Sequence, residues 1–423
     1  MNLSDHEPQH VWMVNHHAAF PEKDGQEGRH FALARHLKQY GWSVSILAAS
    51  TTHPSGQQRL PGFRLRKLST ANGVSCLWVK SNRYGSSNLL RFIGMLVFAF
   101  MTLAPGMTRG LQKPDVVIGS TVHPFAAWTG WRLARRHRVP FIYEIRDVWP
   151  DALIHLGQLN GSGLLARVLR RLSLKLCSEA DLVLSPLPGV RTYLDENGFH
   201  NKSFLWISNG IESDSHDVEA DYGSRNPFTF MYFGSHGNAN ALDGILEAFE
   251  RAKVKSPEAE MRLRFIGDGP LKAEVQEYAR SLDSFQYVSF EDPVPRSQII
   301  SSAREADCLV INLHDHPVYQ YGISPNKLFD YLFSGRPIIT AFNAPNNPVA
   351  DAAAGISVPA DDRELMADAM LDMYNSDPEV LRAMGVRGLA HVTSSYSYGN
   401  LAQRLALALS ELVATKRRTN QLN

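Results

Sequence analysis

Short apolar runs that end in glycine, serine or asparagine and lead into amphipathic helices recur along most of this chain. Runs of this kind, bounded by turn residues and separated by helices, read as strands buried on both faces of a parallel sheet. The first run, 11–15, is followed by a loop, 18–28, that holds Pro21, Gly25 and Gly28. Residues 29–40 then show helical spacing, with Phe31, Leu33, Ala34 and Leu37 on one face. Gly41 ends that helix and 43–48 is the next strand. A glycine-bearing loop thus sits at the carboxyl end of a first strand, where open parallel sheets bind ligands.

The alternation continues with strands at 115–119, 139–145, 181–185 and 204–207 and helices at 124–138 and 164–178. Ser208, Asn209 and Gly210 form a turn, and 213–226 is polar without apolar periodicity, as a linker would be. A second series follows, with strands at 228–233, 262–266, 287–290 and 308–312 and helices at 242–254 and 271–281. At 423 residues the chain is too long for one ordinary core. The expectation is an α/β protein of two Rossmann-like domains, 1–207 and 226–399, with the carboxyl ends of both sheets facing a central cleft.

Composition narrows the partners. A net charge of +1 leaves no basic excess for neutralising nucleic acid. Cys76, Cys177 and Cys308 lie far apart with neither zinc spacing nor a disulfide framework, which suits a reducing cytoplasm. The polar first ten residues do not read as a secretory signal. Segment 89–103, LLRFIGMLVFAFMTL, is shorter than the roughly 20 apolar residues that span a bilayer. It reads either as a buried helix or as one lying in a membrane interface, with Arg83, Arg91 and Arg109 beside it.

The most informative chemistry lies in 321–340, YGISPNKLFDYLFSGRPIIT. A polar turn, 322–326, opens a helix carrying Lys327 and Asp330, which Ser334 and Gly335 stop before a buried strand. The unpaired N–H groups and dipole of a helix start suit a phosphate, and Lys327 adds a cation. Asp330, one turn on, is placed to accept from ribose hydroxyls. The plain alternative is an ordinary helix with two surface charges. A second charged set, Glu144, Arg146 and Asp147, ends the strand 139–145, so that alternation puts Glu144 and Arg146 on one face toward the cleft. Arg146 is suited to holding a phosphate or carboxylate, and Asp147 to orienting an acceptor hydroxyl; a structural Arg146–Asp147 pair is the alternative. His123, before a helix, and His16 and His17, after the first strand, are either cleft residues or parts of the helix and strand ends.

Segment 321–340 resembles the nucleotide-sugar site of family 4 glycosyltransferases of the GT-B fold. It is closest to the bacterial surface-polysaccharide branch that includes the L-fucosamine and N-acetylhexosamine transferases of O-antigen and capsule synthesis. Pieces at 113–117, 208–211, 265–269, 305–307, 354–359 and 384–388 recur in family-like order. The resemblance implies a retaining transferase without an obligatory metal or other cofactor, and a terminal helix, 400–423, packing back on the first domain. It assigns the donor site to Gly25, Ser235, Gly267, Asp268, Gly269, Val294, Ser324, Pro325, Asn326, Lys327 and Asp330. Catalytic roles fall to Asp147, Arg146, His123 and Lys327. Three departures stand out. Gly322 occupies the place of the usual first Glu, Ser235 and Asn240 replace an Arg and a Lys, and Arg146 replaces the His of a His-Asp pair. His236, or an Arg from elsewhere, is a candidate to make up the lost charge.

The implied reaction moves a sugar from a nucleotide diphosphate sugar, UDP-linked by expectation, to a hydroxyl of a polyprenyl-diphosphate-linked saccharide. The implied place is the cytoplasm, peripheral on the inner membrane face. A non-catalytic nucleotide-sugar-binding or partner subunit is the alternative, with a nucleotide-sugar 2-epimerase behind it. A dehydrogenase is disfavoured, because Gly25 and Gly28 do not form the dinucleotide fingerprint after the first strand.

Overall fold

The structure, a computed structural model, describes residues 8–21, 28–53, 55–85, 87–121, 123–155, 157, 159–212 and 226–422. Gly25 and linker residues 213–225 lie outside the described residues. The chain divides into two compact units, residues 1–208 with 398–423, and residues 209–397.

The first unit holds β1 (Gln9–Val14), β2 (Trp42–Ala49), β3 (Arg66–Ala71), β4 (Val74–Val79), β5 (Val116–Ser120), β6 (Phe141–Glu144), β7 (Leu182–Ser185) and β8 (Phe204–Trp206). Their order is β3-β4-β2-β1-β5-β6-β7-β8, parallel except for the β3–β4 hairpin at one edge. That hairpin turns on Asn72 and Gly73, both at positive φ (50° and 80°), the type I′ geometry that suits strand twist. Residues alternate between the two faces as period 2 requires. Val11 and Met13 join Phe31, Leu37, Val44 and Ile46 in one core, to which the terminal helix Tyr398–Leu422 adds Leu401, Leu405 and Leu409. Trp12 points the other way, its ring edge-on to His137 in the helix Pro124–His137. That helix packs between the helices Asn88–Leu103 and Leu164–Glu179.

The second unit is a six-stranded parallel sheet of β9 (Phe228–Phe233), β10 (Met261–Ile266), β11 (Val288–Glu291), β12 (Cys308–Asn312), β13 (Ile338–Ala341) and β14 (Gly355–Val358). Its order is β11-β10-β9-β12-β13-β14, the Rossmann order. Phe230, Leu246, Phe249, Phe265, Met366 and Met370 fill one side of it. The topological switch points lie between β1 and β5 in the first unit and between β9 and β12 in the second. The loops that follow those strands are where the fold leaves room for a ligand.

Candidate functional site

In the second unit, two glycine loops meet backbone to backbone at the carboxyl edge. Gly234, after β9, donates to Ile266 O at 3.0 Å, and His236 N donates to Asp268 O at 2.9 Å. Gly267 sits at φ 147°, and a Cβ there would lie 2.0 Å from the Gly234 carbonyl oxygen. At Gly269 a Cβ would meet the His236 carbonyl oxygen at 2.4 Å. Both positions therefore require glycine to let the loops close. Asp268 folds its carboxylate onto Gly269 N at 2.8 Å. Ser235 O accepts from Tyr232 Oη and from Asn240 Nδ2, each at 2.7 Å.

The helix Asn326–Ser334 begins beside these loops. Pro325 is its N-cap and supplies no side-chain cap, so the first-turn N–H groups keep the anion-binding character of a helix start. Gly335, in the left-handed conformation at φ 75°, ends it where the sequence places the stop. Tyr331 fixes the helix to β9: its hydroxyl accepts from Phe233 N at 2.7 Å and donates to Phe233 O at 2.9 Å. Ser324 is held by Asn209, whose N donates to Ser324 Oγ at 2.8 Å and whose Nδ2 donates to Ser324 O at 2.6 Å. Val294 is half-buried in the segment after β11.

Lys327 reaches back across the gap. Its Nζ donates to Tyr232 Oη at 3.0 Å and to Asn240 Oδ1, and it lies over the Tyr232 ring at 4.5 Å. No carboxylate among the described residues pairs with it. Burial pushes the ammonium down to about 7. Asn240, which stands where a cation was expected, is thus the holder of one. His236 does not make up the lost charge: it is fully buried, neither ring nitrogen has a partner among the described residues, and burial with Lys272 nearby lowers its affinity for a proton. Asp330 is 3% exposed, and Arg296 grips both its oxygens at 2.5 and 2.7 Å. Burial nevertheless leaves its carboxyl raised, with Arg296 pulling the other way. Two oxygens so held still have lone pairs for ribose hydroxyls.

In the first unit the charged strand end is divided. Glu144 is 1% exposed and does not face outward, as the alternation argument had it. Its Oε2 accepts from His30 Nε2 at 2.6 Å, and Oε1 lies 3.3 Å from Arg29 Nη2. Asn15 Nδ2 donates to His30 Nδ1 at 2.9 Å, and Arg29 donates to Ile207 O at 2.6 Å. Burial alone would raise the Glu144 carboxyl; His30 and Arg29 instead hold it well below the usual range. Arg146 is half-buried and Asp147 exposed, and no ion pair joins them among the described residues. The Arg146 backbone N donates to Thr121 Oγ1 at 2.8 Å, which fixes the loop.

His123 caps the helix Pro124–His137, accepting from Ala126 N at 3.3 Å. Its ring lies 4.7 Å from that of His16, and His17 stacks on His53 at 4.4 Å. Burial, with neighbouring imidazoles and Arg91, holds His16, His17 and His123 well below their ordinary value. These imidazoles are neutral when folded and take up protons when unfolded, so their contribution is present above the unfolded value and lost as pH falls below it. Going from about pH 7.5 to about pH 5.5 should lower stability by roughly 4 kcal/mol, about 1.4 kcal/mol for each of the three. Thermal unfolding across that range measures it; a flat profile would contradict neutral buried rings.

Residues 25–210 match the glycosyl transferase 4-like domain, and residues 227–376 match the glycosyl transferases group 1. The probable glycosyltransferase WbjE of Pseudomonas aeruginosa is 23% identical over 254 residues, 57% of this chain and 61% of that relative. Sucrose-phosphate synthase from Thermosynechococcus elongatus has a TM-score of 0.68 at 16% identity, covering 96% of this chain and 100% of that one. A trehalose-6-phosphate structure from E. coli bound with UDP-2-fluoro glucose has a TM-score of 0.66 at 11% identity, covering 96% and 99%. The fold is GT-B: two parallel-sheet units, as the alternation of strands and helices led one to expect, in the class that the resemblance implied. These matches put a glycosyl transferase 4-like domain in the first part of the chain and a glycosyl transferases group 1 domain in the second.

Proposed function

We propose that this protein moves a sugar from a uridine diphosphate sugar to a hydroxyl of a polyprenyl-diphosphate-linked saccharide in cell-surface polysaccharide synthesis. The observation that carries the donor half is Lys327: a cation with no carboxylate partner among the described residues, at a helix start without a side-chain cap, beside two loops that only glycine can close. In this reading Gly267, Asp268, Gly269 and Val294 border the base, Asp330 takes the ribose and Ser324, Pro325, Asn326 and Lys327 take the diphosphate. Ser235 then serves through its carbonyl, which positions Asn240 and Tyr232 about Lys327.

Negative charge grows on the departing diphosphate, and preorganised N–H groups with Lys327 stabilise it there. In a front-face displacement with retention, the leaving phosphate takes the acceptor proton, and Arg146, Asp147 and His123 order the acceptor. Uridine is favoured because the E. coli trehalose-6-phosphate structure carries UDP-2-fluoro glucose. Metal independence belongs to the proposal, since Lys327 and the helix start supply the positive charge. Thermal unfolding against uridine and guanosine diphosphate sugars, with and without EDTA, should show stabilisation by one uridine compound that EDTA leaves intact. Loss of the shift in EDTA would overturn metal independence, and a shift without sugar transfer to a lipid-linked acceptor would favour a non-catalytic binding subunit.

The acceptor half includes a membrane surface. No helix among the described residues is long and apolar enough to cross a membrane. The helix Asn88–Leu103 buries Met95, Phe98 and Ala99 while exposing Leu89, Leu90, Ile93 and Phe100, so it is both a core helix and an apolar surface. That division rules out Phe98 as a probe of membrane binding, because Phe98→Asp would bury a charge. Leu89→Ser, Ile93→Ser and Phe100→Ser combined should cut co-sedimentation with anionic vesicles by about tenfold or more while leaving the unfolding temperature unchanged. Unchanged partitioning of the folded variant would remove the membrane from the proposal.

A further inference from the structure

The carboxyl ends of β2, β1 and β5, three neighbours in the first sheet, carry polar groups that find no partner among the described residues. His16 and His17 follow β1, Thr51 and His53 follow β2, and Ser120 ends β5 with His123 three residues on. Among the described residues, four buried imidazole nitrogens there find no hydrogen-bond partner: His16 Nδ1, His17 Nδ1, His17 Nε2 and His123 Nε2. Thr51 Oγ1 and Ser120 Oγ share that condition, as does Arg91 Nε, brought in by the helix Asn88–Leu103. A buried polar group left unpaired costs about 1–3 kcal/mol, so such a concentration at a sheet switch point needs an explanation. Chance is a poor one where the fold itself makes ligand sites.

The rings are in mutual contact. His16 lies 4.5 Å from His17 and 4.7 Å from His123, and its third neighbour, Phe98, is 4.9 Å away. His16 and His123 are 2% and 0% exposed and lie deepest in the cluster. His17 is half-buried and His53 exposed, stacked on it at 4.4 Å, and these two form the rim. The charged or titratable groups that act on the four rings are the rings themselves, Arg91 and Arg146, together with Tyr84, whose hydroxyl is 3.4 Å from His53 Nδ1. Among the described residues no carboxylate joins them. Nor, among the described residues, is any group of three or more His, Cys, Asp or Glu arranged so that it could hold a metal ion, so a cation is not the indicated occupant.

We propose that His16, His17, His53, His123 and Arg91 form the seat for the diphosphate of the lipid-linked acceptor, a deepening that rests on the acceptor half of the proposed function. The anion supplies the acceptors that the orphaned nitrogens lack. Protons taken from solvent convert imidazole to imidazolium as it enters, so binding tightens as pH falls and is accompanied by net proton uptake. One helix joins the two parts of such a ligand. Asn88–Leu103 brings Arg91 and Phe98 to the seat and turns Leu89, Ile93 and Phe100 outward. A diphosphate head with an apolar tail matches that layout, whereas a free phosphate uses only half of it.

The test uses the full chain with ring-15N histidine and with Lys327→Ala, which silences the diphosphate site in the second unit. Titration with inorganic pyrophosphate and with farnesyl diphosphate at neutral pH is followed by imidazole NMR and by calorimetry in buffers of different ionisation enthalpy. Both ligands should bind with net proton uptake, and imidazole signals should move toward the imidazolium form. Farnesyl diphosphate should bind more tightly. His53→Gln with Arg91→Gln, added to Lys327→Ala, should weaken both by about tenfold or more. The same pair in the otherwise native chain should leave UDP affinity unchanged.

Absence of saturable pyrophosphate binding, binding without proton uptake, or full affinity in the variant would overturn the seat. Equal affinity for the two ligands would overturn its assignment to a lipid-linked acceptor. UDP binding to the native chain reports separately on the donor site, so either reading fails on its own.

Discussion

Replacing Lys327 by alanine is expected to abolish stabilisation by the donor and to lower turnover by roughly 10²–10³-fold, the loss that follows removal of one preorganised charge-stabilising donor. The folded protein should not lose stability in parallel. Lys327 is desolvated with no carboxylate partner among the described residues, and burial already pushes it down to about 7. An ammonium in that state is a liability to the fold and an asset only when an anion arrives. Lys327→Ala should therefore unfold at an unchanged or slightly higher temperature, with Tyr232 and Asn240 left to water. Donor affinity of the native protein should fall as pH rises above about 7, because binding must then take up the proton that Lys327 has lost. Lys327→Ala should remove that pH dependence, and Lys327→Arg should flatten it without restoring turnover, since a planar fork does not fit a point-charge position. Calorimetry of donor binding at several pH values checks all of these. A Lys327→Ala protein with native donor affinity would sink the site.

Glu144→Ala should give the largest loss of stability in the first unit. Its carboxylate lies 3.3 Å from Nη2 of buried Arg29 and accepts from His30, and Arg29 Nε and Nη1 find no hydrogen-bond partner among the described residues. Removing one member of a buried pair leaves an uncompensated charge and costs about 3–5 kcal/mol, or roughly 10 °C in a unit of this size. Glu144→Gln keeps a hydrogen-bond acceptor for His30 and should lose less. The network ties β1 through Asn15, β6 through Glu144 and the end of β8 through the Ile207 carbonyl. Donor binding, which the proposed function assigns to residues of the second unit, should be unaffected in the folded fraction. Separate unfolding transitions followed with and without UDP would reveal this; a native-like melting temperature would show that the network contributes little.

Much of the fold was legible because its cause is local. Buried parallel strands are short and apolar, helices repeat every 3.6 residues, and Gly41 and Gly335 stop them in the left-handed conformation. The β3–β4 hairpin was missed: Asn72 and Gly73 are the strongest kind of short-range hairpin signal, but the mixed sequence around them did not read as strands. The charged strand end misled for a different reason. Alternation says which residues share a face, but not whether that face meets water or Arg29 and His30.

The sequence by itself determined the order of strands and helices, the glycines that let two loops close, and the helix start that holds Lys327. These follow from backbone sterics and periodicity, which act over a few residues. Only the tertiary structure decided which distant side chains meet. It set Asn240 and Tyr232 on Lys327, Arg296 on Asp330, Asn209 on Ser324, and His53 and Arg91 beside His16, His17 and His123. Partners tens of residues apart leave no spacing signal, because strand order in a parallel sheet, rather than distance along the chain, sets which loops lie side by side.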